Sequence, residues 1–268
     1  MRSLGVAVKL EEVLLVFRSD LSSYLTPRAK QMMKGVLLLF VVGSLLVWAV
    51  PTPDPDHAWE DKGDDAFVLH LFELGGLVGI GLALFHASRH WPREEVIIFF
   101  ASCFTYALFF EDMNIQLSED YAYNKEAWLV VHNTMLVIAL GWCIIAYCLV
   151  FTISTNPVLK SWNPVEKGIL AGLLGLTIDL GIDATAFAYG LWYWEGGVFF
   201  GVPLTNFVGW FAALFTFVFS SEYLKEKGRN WPFEKRLKAR LFAIFPDYGG
   251  LLVMVGFGFA FLALLGLK

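Results

Sequence analysis

Long apolar runs separated by short polar stretches set the pattern of this chain. Seven of the runs are long enough to count as spans, set against the roughly 20 residues that carry a helix across a hydrocarbon layer. They lie near 34–50, 66–86, 95–110, 127–153, 167–190, 202–221 and 248–267. The pattern predicts an all-α fold, a polytopic membrane helix bundle of about seven transmembrane helices. The first run follows a polar, basic segment of 33 residues with no small-residue cleavage site, so it reads as a retained span and not as a removable signal peptide. Within that segment, residues 4–17 have the make-up of an amphipathic helix that can lie along the inner membrane surface. The chain therefore divides into an N-terminal cytoplasmic segment, 1–33, and a single transmembrane domain, 34–268, with no internal repeat and no low-complexity stretch.

Composition agrees and narrows the partners. Hydrophobic residues make up 57% of the 268 and charged residues only 17%, where a soluble domain has about 25% charged. The formal net charge is -5 and the basic residues form no track for a phosphate backbone, so nucleic acid is not an expected partner. Membrane lipids are, and nothing in the sequence excludes partner membrane proteins. Of the 20 Lys and Arg, 17 fall in the N-terminal segment and the even-numbered loops; only Lys62, Lys125 and Lys268 fall on the other side. The positive-inside rule then puts the N-terminus in the cytoplasm, the odd-numbered loops outside, and the protein in the cell membrane as a multi-pass chain. Acids gather in the first and third outer loops, where a solvated face accounts for most of them.

Three acids sit inside spans: Glu73 in the second, Asp179 and Asp183 in the fifth. Each costs about 2.5–3.5 kcal/mol to insert at mid-membrane, which makes it a functional candidate by default. Asp179 and Asp183 are four residues apart and so share one helix face. In a low-dielectric interior two such neighbours do not both ionise, and one keeps its proton. The same face carries Gly168, Gly172, Gly175, Ala186 and Gly190, small residues that let a second helix come close and turn the acids inward. The plainer alternative is that the acids are only interhelical hydrogen-bonding partners. By the topology, His70, Glu73, Glu111, His132, Asn133, Asp183, Trp192, Trp194 and Asn206 all fall toward the outer half of the membrane, with Glu111 at the end of the third span and His132 and Asn133 at the start of the fourth. Such convergence is what a single buried site produces.

The histidines and cysteines offer less. His70 and Glu73 form an HxxE pair and His86 and His90 an HxxxH pair, but the second belongs to the inner end of its span and cannot share a site with the acids. Five histidines in the whole chain fall short of the multi-histidine sets of membrane di-iron enzymes, so no metal is assigned. Cys103, Cys143 and Cys148 lie in apolar runs without a CxxC and read as buried free thiols.

From Asp179 to Phe211 the chain reads DLGIDATAFAYGLWYWEGGVFFGVPLTNFVGWF. This resembles the carotenoid-biosynthesis membrane proteins that include the bisanhydrobacterioruberin hydratase and carotenoid hydratase family. The matching residues are Asp179 and Asp183, Trp192 and Trp194, Gly197, Gly201-Val202-Pro203, Asn206-Phe207 and Gly209-Trp210. A looser match starts at Glu111, passes through Tyr121-Ala122-Tyr123 and ends in Leu140 to Tyr147. Local departures are Ala184, where the family pattern has proline, and Phe199-Phe200, where tyrosines are common. The resemblance implies hydration of an end-group double bond of an acyclic carotenoid through a carbocation, with no cofactor and a long polyene as ligand. Asp179, Asp183, Glu111 and Glu73 are then the candidate acids and bases. Asn206, Trp192, Trp194, Tyr193, Tyr123, His70 and Trp210 are the candidate substrate contacts, the aromatic rings facing the cation and Asn206 holding the water. For Trp192 and Trp194 a membrane-interface belt is an equally open reading. A proton-initiated carotenoid cyclase and a non-catalytic carotenoid-binding or scaffolding subunit also fit.

Overall fold

The computed structural model describes residues 26–31, 33–35, 38, 66–117, 121–194, 197 and 199–264. From Ala66 onward its α-helices are α1 (Ala66–His90), α2 (Arg93–Leu117), α3 (Leu136–Thr155), α4 (Pro164–Ala188), α5 (Leu204–Lys227), α6 (Phe233–Phe242) and α7 (Ile244–Leu264). Four short strands interrupt them: β1 (Tyr121–Tyr123), β2 (Val130–Val131), β3 (Thr134–Met135) and β4 (Trp192–Trp194). Among the described residues six helical stretches are long and apolar enough to cross a membrane, the last running from α6 into α7 over Phe233–Gly258. The first expected span, 34–50, the amphipathic segment 4–17 and the acidic first outer loop fall almost wholly outside the described residues.

Local chemistry sets the helix ends. α4 begins with a capping box: Asn163 Oδ1 accepts from the Glu166 amide at 3.0 Å, Glu166 Oε2 accepts from the Asn163 amide at 3.1 Å, and Pro164 opens the first turn. The other oxygen of Glu166 accepts from the Thr26 amide at 2.6 Å, which ties the start of the described chain to this end of α4. α5 ends on Lys225 and Lys227, cations that suit the negative end of a helix. Arg236 of α6 reaches Glu94 and Glu95 in the first turn of α2. The basic end of the bundle is thereby stitched together.

Packing follows the small residues. A Cβ on Gly172 would meet Phe211 Cδ2 at 2.7 Å and the Phe211 carbonyl at 2.9 Å, and one on Gly168 would come within 3.1 Å of Phe215 and Phe219. The glycine face of α4 therefore takes α5 in close contact, as the sequence pattern predicts. Where α4 and α5 meet, Lys167 Nζ donates to Glu222 Oε2 at 2.6 Å in a buried ion pair. Phe67, Leu71, Val78, Leu82 and Phe85 on α1 stay exposed, the surface a lipid-facing helix presents.

Three expectations need correction. The fourth span starts at Leu136, because residues 127–135 turn back on themselves and pair β2 with β3, Val131 opposite Thr134. His132 and Asn133 form that turn, His132 in the left-handed region at φ 57°, and both are exposed and bound to Asp112. Glu111 does not cap the end of its helix: α2 continues to Leu117, and Glu111 is buried within it. Cys103 and Cys143 are buried, but Cys148 is exposed on the outside of α3.

Candidate functional site

β1 and β4 pair antiparallel, Tyr121 with Trp194, Ala122 with Tyr193 and Tyr123 with Trp192. Because side chains alternate across a strand, Tyr121, Tyr123, Trp192 and Trp194 share one face and Ala122 and Tyr193 the other. Tyr121 stacks on Trp194 with centroids 5.2 Å apart at 15°. Two further bonds hold the ribbon, from the Asn124 amide to the Leu191 carbonyl at 3.1 Å and from Asn124 Nδ2 to the Gly190 carbonyl at 2.9 Å. After β4 the chain turns at Phe200 and Gly201, with φ of 50° and 79°, between the mutually bonded Phe199 and Val202. Only glycine fits the second position, since any Cβ there would run into the Phe187 ring. Pro203 then leads into α5.

This aromatic ribbon closes one end of a cavity of about 430 Å³ to which α1, α2, α3, α4, α5 and α7 all contribute. That volume is within the range of small-molecule sites. Its lining is mainly apolar, with Asn114 and Thr205 among its polar residues and a carboxyl group on each of two sides. On one side Asp183 Oδ2 accepts from Trp210 Nε1 at 3.1 Å and from Asn206 Nδ2 at 2.5 Å. The same Asn206 nitrogen is 3.3 Å from each oxygen of Asp179. Asp183 and Asn206 line the cavity, while Asp179 is fully buried behind them. On the other side Glu111 Oε1 accepts from Trp142 Nε1 at 2.5 Å and Oε2 accepts from the Tyr123 hydroxyl at 2.6 Å. Trp142 and Trp210 are in contact with centroids 4.4 Å apart and their planes tilted by 35°, so the two carboxylates are linked through a pair of indoles.

The phenols of the ribbon are held in the protonated, donating form. Burial, and after it the Glu111 carboxylate, hold the Tyr121 and Tyr123 hydroxyls well above their ordinary value of 10.0. Trp192 lines the cavity with its Nε1 buried near Asp183.

Of the residues singled out in the sequence, Asp183, Glu111, Asn206, Trp192, Trp194 and Trp210 line the cavity. Asp179 backs it and Tyr123 reaches it through Glu111. Glu73, His70 and Tyr193, also candidates for the site, lie elsewhere. Glu73 Oε1 accepts from the Trp128 and Leu129 amides at 2.9 and 3.2 Å, and its Oε2 pairs with His70 Nδ1 at 3.0 Å. His70 in turn stacks on Trp128 at 3.7 Å, so the HxxE pair grips the loop before β2. Tyr193 is on the far face of β4, stacked on Phe187 at 6.0 Å. His86 and His90 are stacked on each other at 4.1 Å, His86 bonded to the Tyr147 hydroxyl, away from the cavity. Tyr121 and Trp142 also line the cavity, and their only sequence signal is their place in the looser motif.

A bundle of long apolar helices with carboxyl groups and aromatic rings around an interior cavity is the architecture of a multi-pass membrane protein. The model of the carotenoid biosynthesis protein family matches residues 72–267, and the chain belongs to that family. No curated relative and no solved structure matches it. Its role is in carotenoid biosynthesis.

Proposed function

We propose that this protein adds water across an end-group double bond of an acyclic carotenoid in the cell membrane. The observation that carries the reading is the Asp183–Asn206–Asp179 cluster at the wall of an apolar cavity. Alkene hydration starts with transfer of a proton to carbon, which calls for a carboxylic acid kept neutral beside an apolar substrate. Two carboxyl groups joined by one amide nitrogen in a dry interior hold a proton between them. Asp183 faces the cavity and donates it; Asp179 and Asn206 hold Asp183 in place.

In the reaction, the proton passes from Asp183 to the less substituted carbon of the terminal double bond and leaves a tertiary cation. A water oxygen bonds to that cation, and its surplus proton goes to a carboxylate, either Glu111 or the newly ionised Asp183. The sum is alkene plus water giving a tertiary alcohol. No electron is transferred, so the steps need no redox cofactor. A substrate this apolar reaches the cavity from the bilayer, with its end group inside and the polyene trailing between helices.

The test is pigment analysis by chromatography and mass spectrometry in a carotenoid-producing host with and without the gene. The expected product is heavier by one water and absent with the Asp183→Asn variant. An isomer of unchanged mass would instead identify a cyclase, which uses the same acid but excludes water. Unchanged pigments with carotenoid co-purifying on the protein would identify a binding subunit.

A further inference from the structure

Asp183 and Glu111 stand at two sides of the cavity, and the groups between them are the indoles of Trp142 and Trp210. Trp210 gives its N–H to Asp183 and Trp142 gives its N–H to Glu111. Donation from an indole N–H to a carboxylate pushes electron density back into the ring and strengthens the negative face that attracts a cation. The other two cavity tryptophans are placed differently: both belong to the β1–β4 ribbon, and Trp194 stacks on Tyr121. A cation made by proton transfer from Asp183 arises within a bond or two of that oxygen. If its water is activated at Glu111, it lies between the two acids, which is where the tilted indole pair lies.

We infer that the adjoining, mutually tilted indoles of Trp142 and Trp210 are the surface that holds the cationic end group, each ring made more electron-rich by its own carboxylate. The inference rests on the proposed carbocation chemistry and adds to it a catalytic residue, Trp142, along with a role for Trp210. It also gives the cavity wall a preference: a substrate whose end group becomes a tertiary cation gains from it, while a polyene that stays neutral does not. The pair therefore favours the transition state over the bound substrate.

Fluorinated tryptophans test this without changing shape. Each ring fluorine withdraws density from the indole face and leaves the side chain nearly the same size, so folding and the Glu111 hydrogen bond persist. Trp142 would be replaced site-specifically by tryptophan carrying one to four ring fluorines, and product formation measured in membranes with the carotenoid substrate. The expected result is a stepwise fall with each added fluorine, reaching about 3–30-fold in all, the range a cation–π contact covers. The same series at Trp91, which packs on Phe99 and Tyr147 at the other end of the bundle, should leave the rate unchanged. A flat series at Trp142, with the unsubstituted protein active, would overturn the inference and leave the hydration reading standing. If the unsubstituted protein forms neither a hydrated nor an isomerised product, the carbocation reading itself falls, and this inference with it.

Discussion

Asn206 is the residue on which the two aspartates meet, and its amide shows why the pair was legible in the sequence while other acids misled. A spacing of four on a helix fixes a common face whatever the surroundings, so Asp179 and Asp183 could be paired from the chain alone. Glu73 is just as unexpected in an apolar run, but its partners are backbone amides of Trp128 and Leu129, about 55 residues away, and no spacing rule reports such contacts. Trp142 was hidden for the opposite reason: a tryptophan in an apolar helix looks like ordinary core until its N–H is seen on Glu111. Asp183→Asn keeps the acceptor for Trp210 and the volume of the side chain but removes the transferable proton. Product formation should drop about 10²–10⁴-fold, the contribution of a positioned acid, while the purified protein keeps its thermal transition in detergent. Glu73→Gln removes charge from a loop anchor and should lower the thermal transition more than the per-molecule rate; mass-spectrometric product analysis beside a melting curve separates the two.

Helices were legible and strands were not, because an apolar run announces itself locally whereas β1 and β4 are three residues each and lie about 70 residues apart. Tyr-x-Tyr and Trp-x-Trp both show the alternation of a strand, but that they pair, and so set four rings on one face, is a tertiary fact. The start of α3 was misplaced for a related reason, since 127–135 is apolar enough to pass for helix while actually forming a hairpin. The α4–α5 contact was legible in its glycines, and it can be tested there. Gly172→Ala puts a methyl against the Phe211 carbonyl, which cannot swing away, and should cost about 1–3 kcal/mol, seen as a lower unfolding temperature in detergent. β1 supplies a pH prediction. The Tyr121 and Tyr123 phenols bind their protons more tightly in the folded protein than in the unfolded chain. Their contribution to stability is thus complete below pH 10.0, the ordinary phenol value, and is lost as pH rises beyond it. Melting temperature should hold level up to that point and fall above it, with a shallower fall in the Tyr121→Phe/Tyr123→Phe double variant.

The whole molecule has two unlike ends, and its contacts bear on which faces the cytoplasm. At one end Thr26 is tied to Glu166 and Arg236 to Glu94 and Glu95, bringing together the segments that hold most of the Lys and Arg. At the other end the β1–β4 ribbon borders the cavity and the turn of the β2–β3 hairpin is bound to Asp112, with few cations. The alternation of ends from helix to helix was readable from charge, since each apolar run reverses the chain; the cavity was not, because it is made by all these helices at once. Lys160 and Lys125 are both exposed and lie at opposite ends, Lys160 after α3 and Lys125 beside β1. The positive-inside rule assigns Lys160 to the cytoplasm and Lys125, with the cavity end, to the outside. In a variant with Cys103, Cys143 and Cys148 replaced, a single cysteine at position 125 should react with a membrane-impermeant maleimide on intact cells. One at position 160 should react only after the cells are opened. The reverse pattern would invert the topology and put the cavity in the cytoplasmic half of the membrane, so that water for the proposed reaction would have to come from the cytoplasm; labelling of both positions on intact cells would mean that the chain does not adopt one orientation.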